Sequence, residues 1–133
     1  MQKRSVLVVV AHPDDEALGA GATIHKLSSL GVEINCLILS GGAEARSTKP
    51  SKEKLLKTIK TSGDIIGIKN HLIGNFKNIN FNNHSHLELV QFIEDGINKY
   101  QPTTIMTHNG SDINDDHVIT YNVCVAASRL YQR

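Results

Sequence analysis

The chain has 133 residues, and its 14 basic and 13 acidic side chains leave a formal net charge of +1 at pH 7. This length fits a single domain over residues 1–133, and no basic or aromatic-interleaved stretch indicates a nucleic-acid partner. The apolar run at residues 6–10 is too short for a secretory core or a membrane span, and Ala-His-Pro interrupts it. These properties favour a cytoplasmic protein of one domain.

Strand and helix patterns alternate along the chain. Residues 5–10 form a continuous β-branched and aliphatic run that is typical of a buried strand. Residues 15–29 predict a helix, with Leu18, Ala22 and Leu27 expected to face inward. The remaining predicted elements are strands at 32–39, 69–73 and 103–107 and helices at 52–65, 87–99 and 118–130.

This β-α-β-α-β-α-β-α order predicts an α/β fold, a three-layer Rossmann-like doubly wound sheet that is mainly parallel. Right-handed crossovers and the common doubly wound arrangement predict strand order 3-2-1-4. The first and fourth strands are then neighbours, and the winding reverses between them. Their carboxyl ends flank the crevice where such sheets bind ligands. We therefore expect functional side chains in the loops that follow these two strands.

Residues 11–16, at the first strand-to-helix junction, read Ala-His-Pro-Asp-Asp-Glu. A helix start accounts for the acids, since Asp14 or Asp15 can cap a helix and Glu16 favours its first turn. It does not account for His12. Alternatively, His12 and Asp15 bind zinc or another divalent ion, and Asp14 takes a proton from water. Two ligands do not make a site, so both interpretations remain open at this point.

The topology places a third ligand in the loop after the fourth strand. Residues 107–117 offer two histidines and three aspartates there. The first motif together with Asp116-His117 resembles the zinc-dependent N-acetylglucosaminyl deacetylases of the PIG-L or LmbE-like family. Residues 42–44 (Gly-Ala-Glu) and Arg46, after the second strand, extend the resemblance over most of the chain.

The resemblance implies a role for each matching residue. His12, Asp15 and His117 correspond to the zinc ligands of the family, and Asp14 to the general base that deprotonates metal-activated water. The implied reaction removes the N-acetyl group of an N-acetylglucosamine-type sugar or glycoconjugate as acetate. Three protein ligands and an open position also fit a catalytic rather than a structural zinc site.

Further residues are candidates for substrate contacts or support. Arg46 and Glu44 could bind sugar hydroxyls or a substrate phosphate, although Arg46 could equally be an exposed loop arginine. Asn114 stands where many family members carry a histidine, and its amide can donate to an oxyanion but cannot shuttle a proton. Asp116 is expected to orient a neighbouring polar group or to cap a helix. His108 is expected to line the pocket without binding metal.

Two groups of residues receive structural interpretations. Cys36 and Cys124 lack C-x-x-C spacing and are predicted to be buried free thiols. Four lysines are predicted to form the solvated face of the second helix, namely Lys49, Lys52, Lys54 and Lys57.

The chain is short for the family, so the resemblance implies a domain that lacks the usual C-terminal portion. Two functional hypotheses follow from it. The chain is a zinc-dependent deacetylase, or it is a truncated or non-catalytic relative that binds metal or sugar without turnover. A nucleotide-binding sheet protein is disfavoured, because no G-x-G-x-x-G follows the first strand and the acids of residues 14–16 would repel phosphate.

Overall fold

The computed structural model describes residues 4–43 and 45–129. Four strands form one sheet in the order β3-β2-β1-β4, and all three strand pairs are parallel. The strands are β1 (Ser5–Val10), β2 (Glu33–Ile38), β3 (Asn70–Ile73) and β4 (Thr104–Met106). The helices are α1 (Asp15–Ser29), α2 (Lys52–Ile66), α3 (His86–Tyr100) and α4 (Asp115–Ser128), with a 3₁₀ turn at Phe81–Asn83. The predicted α/β fold and strand order are confirmed.

Helices cover both faces of the sheet because successive side chains of a strand point to opposite faces. Leu7 and Val9 of β1 pack in one core cluster with residues of α3 and α4. Val6 and Val8 pack in the other cluster with residues of α1 and α2. All six residues of β1 are buried, as expected for a strand between two helical layers.

The two cysteines are free and buried, as predicted. Cys36 belongs to the cluster under α1 and α2, and Cys124 to the cluster under α3 and α4. Within the described ranges, no helix has the length and apolar character needed to cross a membrane.

The predicted inward face of α1 is wrong for Leu18 and Ala22 and right for Leu27. Leu18 is 83% exposed and Ala22 is exposed, whereas Ile24 is fully buried and Leu27 packs against the core. Residues three or four apart share a helix face. Ala20, one turn before Ile24, also packs against this core, and the inward position two turns before Ile24 belongs to Glu16, which is only 1% exposed. The glycines and alanines of the first half of α1 form no apolar stripe, so the sequence does not indicate which side of the helix faces the core.

Helix α4 begins three residues before its predicted start. The Asn114 side chain accepts a hydrogen bond from the Asp116 backbone N–H at 3.0 Å, and two acids in the first turn complement the helix dipole. Asp116 and His117 therefore lie in the first turn of α4 rather than in a loop. The last residue of the predicted helix, Leu130, lies outside the described residues.

The carboxyl ends of β1 and β4 meet at the point where the winding reverses. Val8 of β1 pairs with Met106 of β4, so the two loops that follow these strands leave the same edge of the sheet. This edge is the ligand-binding position of doubly wound sheets.

Candidate metal centre and its surroundings

The three predicted metal ligands converge at this edge. Nδ1 of His12 lies 3.5 Å from Oδ2 of Asp15, and Nε2 of His117 lies 3.3 Å from the same oxygen. One ligand atom from each residue lies within 4.8 Å of the other two. A tetrahedral zinc site with bonds of about 2.0–2.1 Å requires ligand atoms about 3.3–3.4 Å apart. The donor set and the two distances to Asp15 therefore fit a zinc ion.

A tight turn brings His12 and Asp15 together directly after β1. The His12 backbone N–H donates to Oδ2 of Asp15 at 2.9 Å, and the Asp15 N–H donates to the His12 carbonyl at 3.4 Å. Burial by itself would raise the pKa of Asp15, but hydrogen bonds from His12 and the nearby His117 and His108 lower it below its ordinary value. The carboxylate is therefore held in its ionised, metal-binding form.

Asp116 fixes the orientation of the His12 ring. Its Oδ2 lies 2.8 Å from Nε2 of His12, and since an ionised carboxylate only accepts, Nε2 is the protonated nitrogen. Nδ1 is then the free donor atom, and it faces Asp15. Burial lowers the pKa of His12, but hydrogen bonds and charges of Asp15 and Asp116 outweigh it and leave the pKa raised. A carboxylate behind a ligating histidine is a common arrangement in metal sites.

Asp112 fixes the orientation of the His117 ring, as Asp116 does for His12, and the sequence analysis did not identify it. Its Oδ2 lies 3.1 Å from Nδ1 of His117, which leaves Nε2 of that ring facing Asp15. A backbone N–H of Asn114 and the His117 ring lower the pKa of Asp112. The only sequence signal was an aspartate five positions before the helical histidine, and its contact depends on how the loop folds back.

His108 forms a wall of the centre. Its Nε2 accepts the Ala11 backbone N–H at 2.9 Å, and its ring stacks on that of His117 at 3.9 Å and 13°. Burial and the neighbouring His117 lower the pKa of His108 to about 4, so the ring is neutral near pH 7.

A second set of potential ligands, His108, Asp112 and His117, also lies within 4.8 Å. The lone pairs of stacked imidazoles lie in parallel ring planes and do not converge on one ion. Two of the nitrogens are also engaged, by Ala11 and by Asp112. This set therefore does not fit a metal in the way the first set does.

Asp14 projects from the junction in a strained backbone conformation. It is the residue that caps α1, but its side chain makes no capping hydrogen bond, and its φ of 106° lies in the left-handed region. Its Oδ2 accepts instead from Nη2 of Arg46 at 2.6 Å, with the two side chains 48% and 47% exposed. Arg46 also donates to the Pro13 carbonyl at 3.2 Å. Asp14 is thus a partly exposed carboxylate held by Arg46, and it directly precedes Asp15 in the chain.

The other predicted site residues are placed as follows. Asn114 uses Oδ1 as the cap of α4, so Asp116 is not the cap. Glu44 lies outside the described residues. Glu16 lies at the helix start, as expected, but it is buried there. Burial raises its pKa, and its Oε2 accepts the Asp14 N–H at 3.1 Å.

The asparagine-rich segment before α3 is tied to the centre through Asp116. The backbone N–H groups of Ile79 and Phe81 donate to the two oxygens of Asp116 at 2.7 and 3.1 Å. The buried Phe81 ring lies 5.8 Å from that of His12. The same carboxylate therefore orients a candidate ligand and anchors a loop, which no local pattern in the sequence indicated.

Comparison with known proteins shows which family the chain resembles in sequence. The family described as PIG-L, GlcNAc-PI de-N-acetylase, matches residues 7–128. A diacetylchitobiose deacetylase of Thermococcus kodakarensis is 35% identical over 71 residues, covering 50% of this chain and 27% of that protein.

Solved structures share the fold. The N,N'-diacetylchitobiose deacetylase of Pyrococcus horikoshii superposes with a TM-score of 0.86 at 22% identity, over 97% of this chain and 51% of that one. The zinc-inhibited form of teicoplanin deacetylase Orf2 has a TM-score of 0.80 at 17% identity, over 96% and 64% of the two chains. This chain thus spans between about a quarter and two thirds of the length of these relatives. Since the family match covers most of its residues, the chain belongs to the PIG-L family.

Proposed function

We propose that the chain is a metal-dependent hydrolase that removes the acetyl group from an N-acetylglucosamine-type sugar or glycoconjugate. The observation that carries the proposal is the convergence of His12, Asp15 and His117, with the Asp14 carboxylate, held by Arg46, next in the chain to Asp15. Membership of a deacetylase family supports the reaction class. The family relatives that act on acetylated sugars support the substrate class.

Zinc is the metal that we propose for the centre. Nδ1 of His12, a carboxylate oxygen of Asp15 and Nε2 of His117 would hold it, since Asp116 and Asp112 engage the opposite ring nitrogens. A bound zinc ion would polarise the acetamide carbonyl and make water more acidic. Three protein ligands leave one position of a tetrahedral site for reactants.

Asp14 is the proposed general base. It takes a proton from the attacking water while the water oxygen bonds to the acetamide carbon. When the C–N bond breaks, the same proton goes to the leaving nitrogen, and the products are acetate and a free amino sugar. Arg46 orients the carboxylate through its 2.6 Å ion pair. A base must lie within hydrogen-bond reach of its proton, and Asp14 adjoins ligand Asp15 in the chain.

Asn114 is proposed to assist at the carbonyl oxygen. Its Oδ1 is engaged as the helix cap, so its Nδ2 remains to donate to negative charge that develops on that oxygen. An amide cannot transfer a proton near neutral pH. Both proton transfers therefore fall to Asp14.

The test is acetate release from a panel of N-acetylglucosamine conjugates. Zinc-loaded chain should release acetate and chelator-treated chain should not. Asp14→Asn should keep its zinc and lose at least about 100-fold in rate, the lower range for general base catalysis. Asp95→Asn, an exposed acid of α3, is the matched control and should keep wild-type activity. No release from any conjugate by the zinc-loaded wild type would favour the alternative, a relative that binds metal or sugar without turnover.

A further inference from the structure

Strand β3 (Asn70–Ile73) forms one edge of the sheet. It pairs with β2 on one side, and no described strand pairs with its other side. The Gly74 N–H, directly after β3, donates to the Ile38 carbonyl of β2 at 2.8 Å. Backbone groups of alternate residues point to opposite sides of a strand, so those of Ile73 and His71, one and three residues before Gly74, point to the open side. The open side therefore offers backbone donors and acceptors with which a further strand can pair.

A groove of about 510 Å³ runs along this open edge. Residues of α2, among them Lys60, line it on one side, and Lys99 and Tyr100, at the end of α3, line it on the other. Helices α2 and α3 cover opposite faces of the sheet, so the groove crosses the edge from one face to the other. A strand added to β3 would lie in this groove, about 4.8 Å from β3.

The groove is bordered by three lysines, Lys60, Lys69 and Lys99, and within the described ranges no carboxylate lines it. Lys60 pairs with Asp64 at 3.2 Å, but its side chain stays 74% exposed. Lys69 pairs with Glu33 at 2.8 Å, and its side chain is 60% exposed. The Lys99 ammonium lies 5.3 Å from the centroid of an aromatic ring and pairs with no carboxylate in the described part of the chain. These exposed ammonium groups favour an acidic partner.

Lysines at a sheet edge also hinder the pairing of two copies of a chain. Two β3 edges that paired across a twofold axis would bring six ammonium groups together, so charge opposes self-association here. Two of the three lysines, Lys60 and Lys99, come from helices on opposite faces rather than from the strand itself. Leu56, which is 37% exposed, adds an apolar contact to the same lining. The arrangement therefore fits a different chain that carries acidic and apolar side chains.

We propose that the open edge of β3 is a docking site for an acidic, extended peptide segment of another protein, which adds a fifth strand to the sheet. Hydrogen bonds with the backbone of His71 and Ile73 hold the segment. Successive side chains of a strand point to opposite faces, so acids at neighbouring positions reach Lys60 on one face and Lys99 on the other. The metal centre lies at β1 and β4, and the docking site is therefore independent of the proposed deacetylation.

Binding is measured by fluorescence anisotropy with the full 133-residue chain and a labelled peptide. The probe is Thr-Val-Glu-Glu-Val-Thr-Thr with a blocked carboxyl end. Its neutral counterpart, with glutamine for both glutamates, should bind about 3- to 30-fold more weakly, given two exposed charge contacts. The difference should shrink at high salt. No binding of the acidic probe, or equal binding of the two peptides, would overturn the docking site.

Methylation of the peptide backbone separates strand addition from charge attraction alone. Methyl groups on the backbone nitrogens of the four central residues leave the charge of the probe unchanged. They should weaken binding at least about 10-fold, because the hydrogen bonds to β3 are lost. Equal binding of the methylated and the unmethylated probe would contradict strand addition.

Paired substitutions decide whether the lysines of the groove cause the preference for acids. Lys60→Gln with Lys99→Gln should remove most of it, whereas Lys54→Gln with Lys57→Gln, at exposed positions of α2 outside the groove, should keep it. A preference that survives unchanged in the first pair would overturn the proposal.

Two further measurements identify other occupants of the edge. A short oligothymidylate should compete poorly with the acidic probe, and stronger binding of the oligothymidylate would assign the groove to nucleic acid instead. Sedimentation of the chain without peptide should show no association through this edge. A dimer that the acidic probe dissociates would assign the edge to a second copy and would overturn the proposal.

Discussion

Nε2 of His12 donates a hydrogen bond to Oδ2 of Asp116 at 2.8 Å, deep in the first turn of α4. This contact joins two segments that are 104 residues apart in the chain. Asp116 is 3% exposed, and its carboxylate also accepts hydrogen bonds from two backbone N–H groups, those of Ile79 and Phe81. One buried carboxylate thereby joins the candidate metal centre, the start of α4 and the segment before α3.

Asp116→Asn should weaken zinc binding by about 10- to 100-fold, the usual cost of losing the group behind a ligating histidine. An amide offers one acceptor oxygen, so it cannot satisfy the three donors that Asp116 now serves. Zinc affinity is measured by competition with a chromogenic chelator. Asp115→Asn, an exposed acid of the same turn, is the control and should bind as the wild type does. Equal affinity of the two variants would show that Asp116 does not support the ligand.

The strained backbone of Asp14 predicts an unusual order of stability. A side chain at φ 106° is disfavoured, while glycine adopts this conformation freely. Asp14→Gly should therefore be about 1 kcal/mol or more stable than Asp14→Ala, although glycine normally destabilises through chain entropy. Both variants lack the carboxylate and its contact with Arg46, so the comparison isolates the backbone. Denaturant unfolding measures it, and an alanine variant as stable as the glycine variant would contradict the strain.

The lowered pKa of His108 predicts that the stability of the chelator-treated chain depends on pH. Its pKa is about 4 in the folded chain, against an ordinary histidine pKa of 6.5, so the unfolded chain binds the extra proton between these values. The stability that the neutral His108 contributes is present in full above pH 6.5 and is lost as pH falls towards 4. The free energy of unfolding should drop by about 2 kcal/mol between pH 7 and pH 5 from this residue.

His108→Gln should remove that part of the pH dependence, and His25→Gln, at an exposed position of α1, should retain it. Denaturant unfolding at pH 7, 6 and 5 compares the three proteins. Parallel curves for His108→Gln and the wild type would contradict the assignment, since His12 and Asp15 titrate in both.

The sequence was sufficient to predict the fold and part of the candidate site where a strong local pattern could be combined with a rule of topology. The aliphatic run of β1 predicted a buried strand with its bounds, and the winding rule then placed β4 beside it. That neighbourhood predicted that His117 would lie near His12, and their rings are 5.3 Å apart.

The sequence was insufficient where the position of a side chain depends on contacts between distant residues, or where the helical periodicity of apolar residues is weak. The inward face of α1 could not be predicted correctly, because a helix rich in glycine and alanine gives no apolar phase against which to place Leu18. Asp112 was missed because a loop must fold back for it to reach His117. The link from Asp116 to Ile79 needs the whole sheet edge to be assembled.

The central claim is that His12, Asp15 and His117 together hold one metal ion, and native mass spectrometry of zinc-treated chain tests it most directly. The wild type and Asp14→Asn should each carry one zinc ion. His12→Ala, Asp15→Ala and His117→Ala should each lose at least about nine tenths of it, as expected when one of three protein ligands is removed, while circular dichroism shows that each variant is folded. Full zinc occupancy in all three folded variants would contradict the assignment of the metal centre.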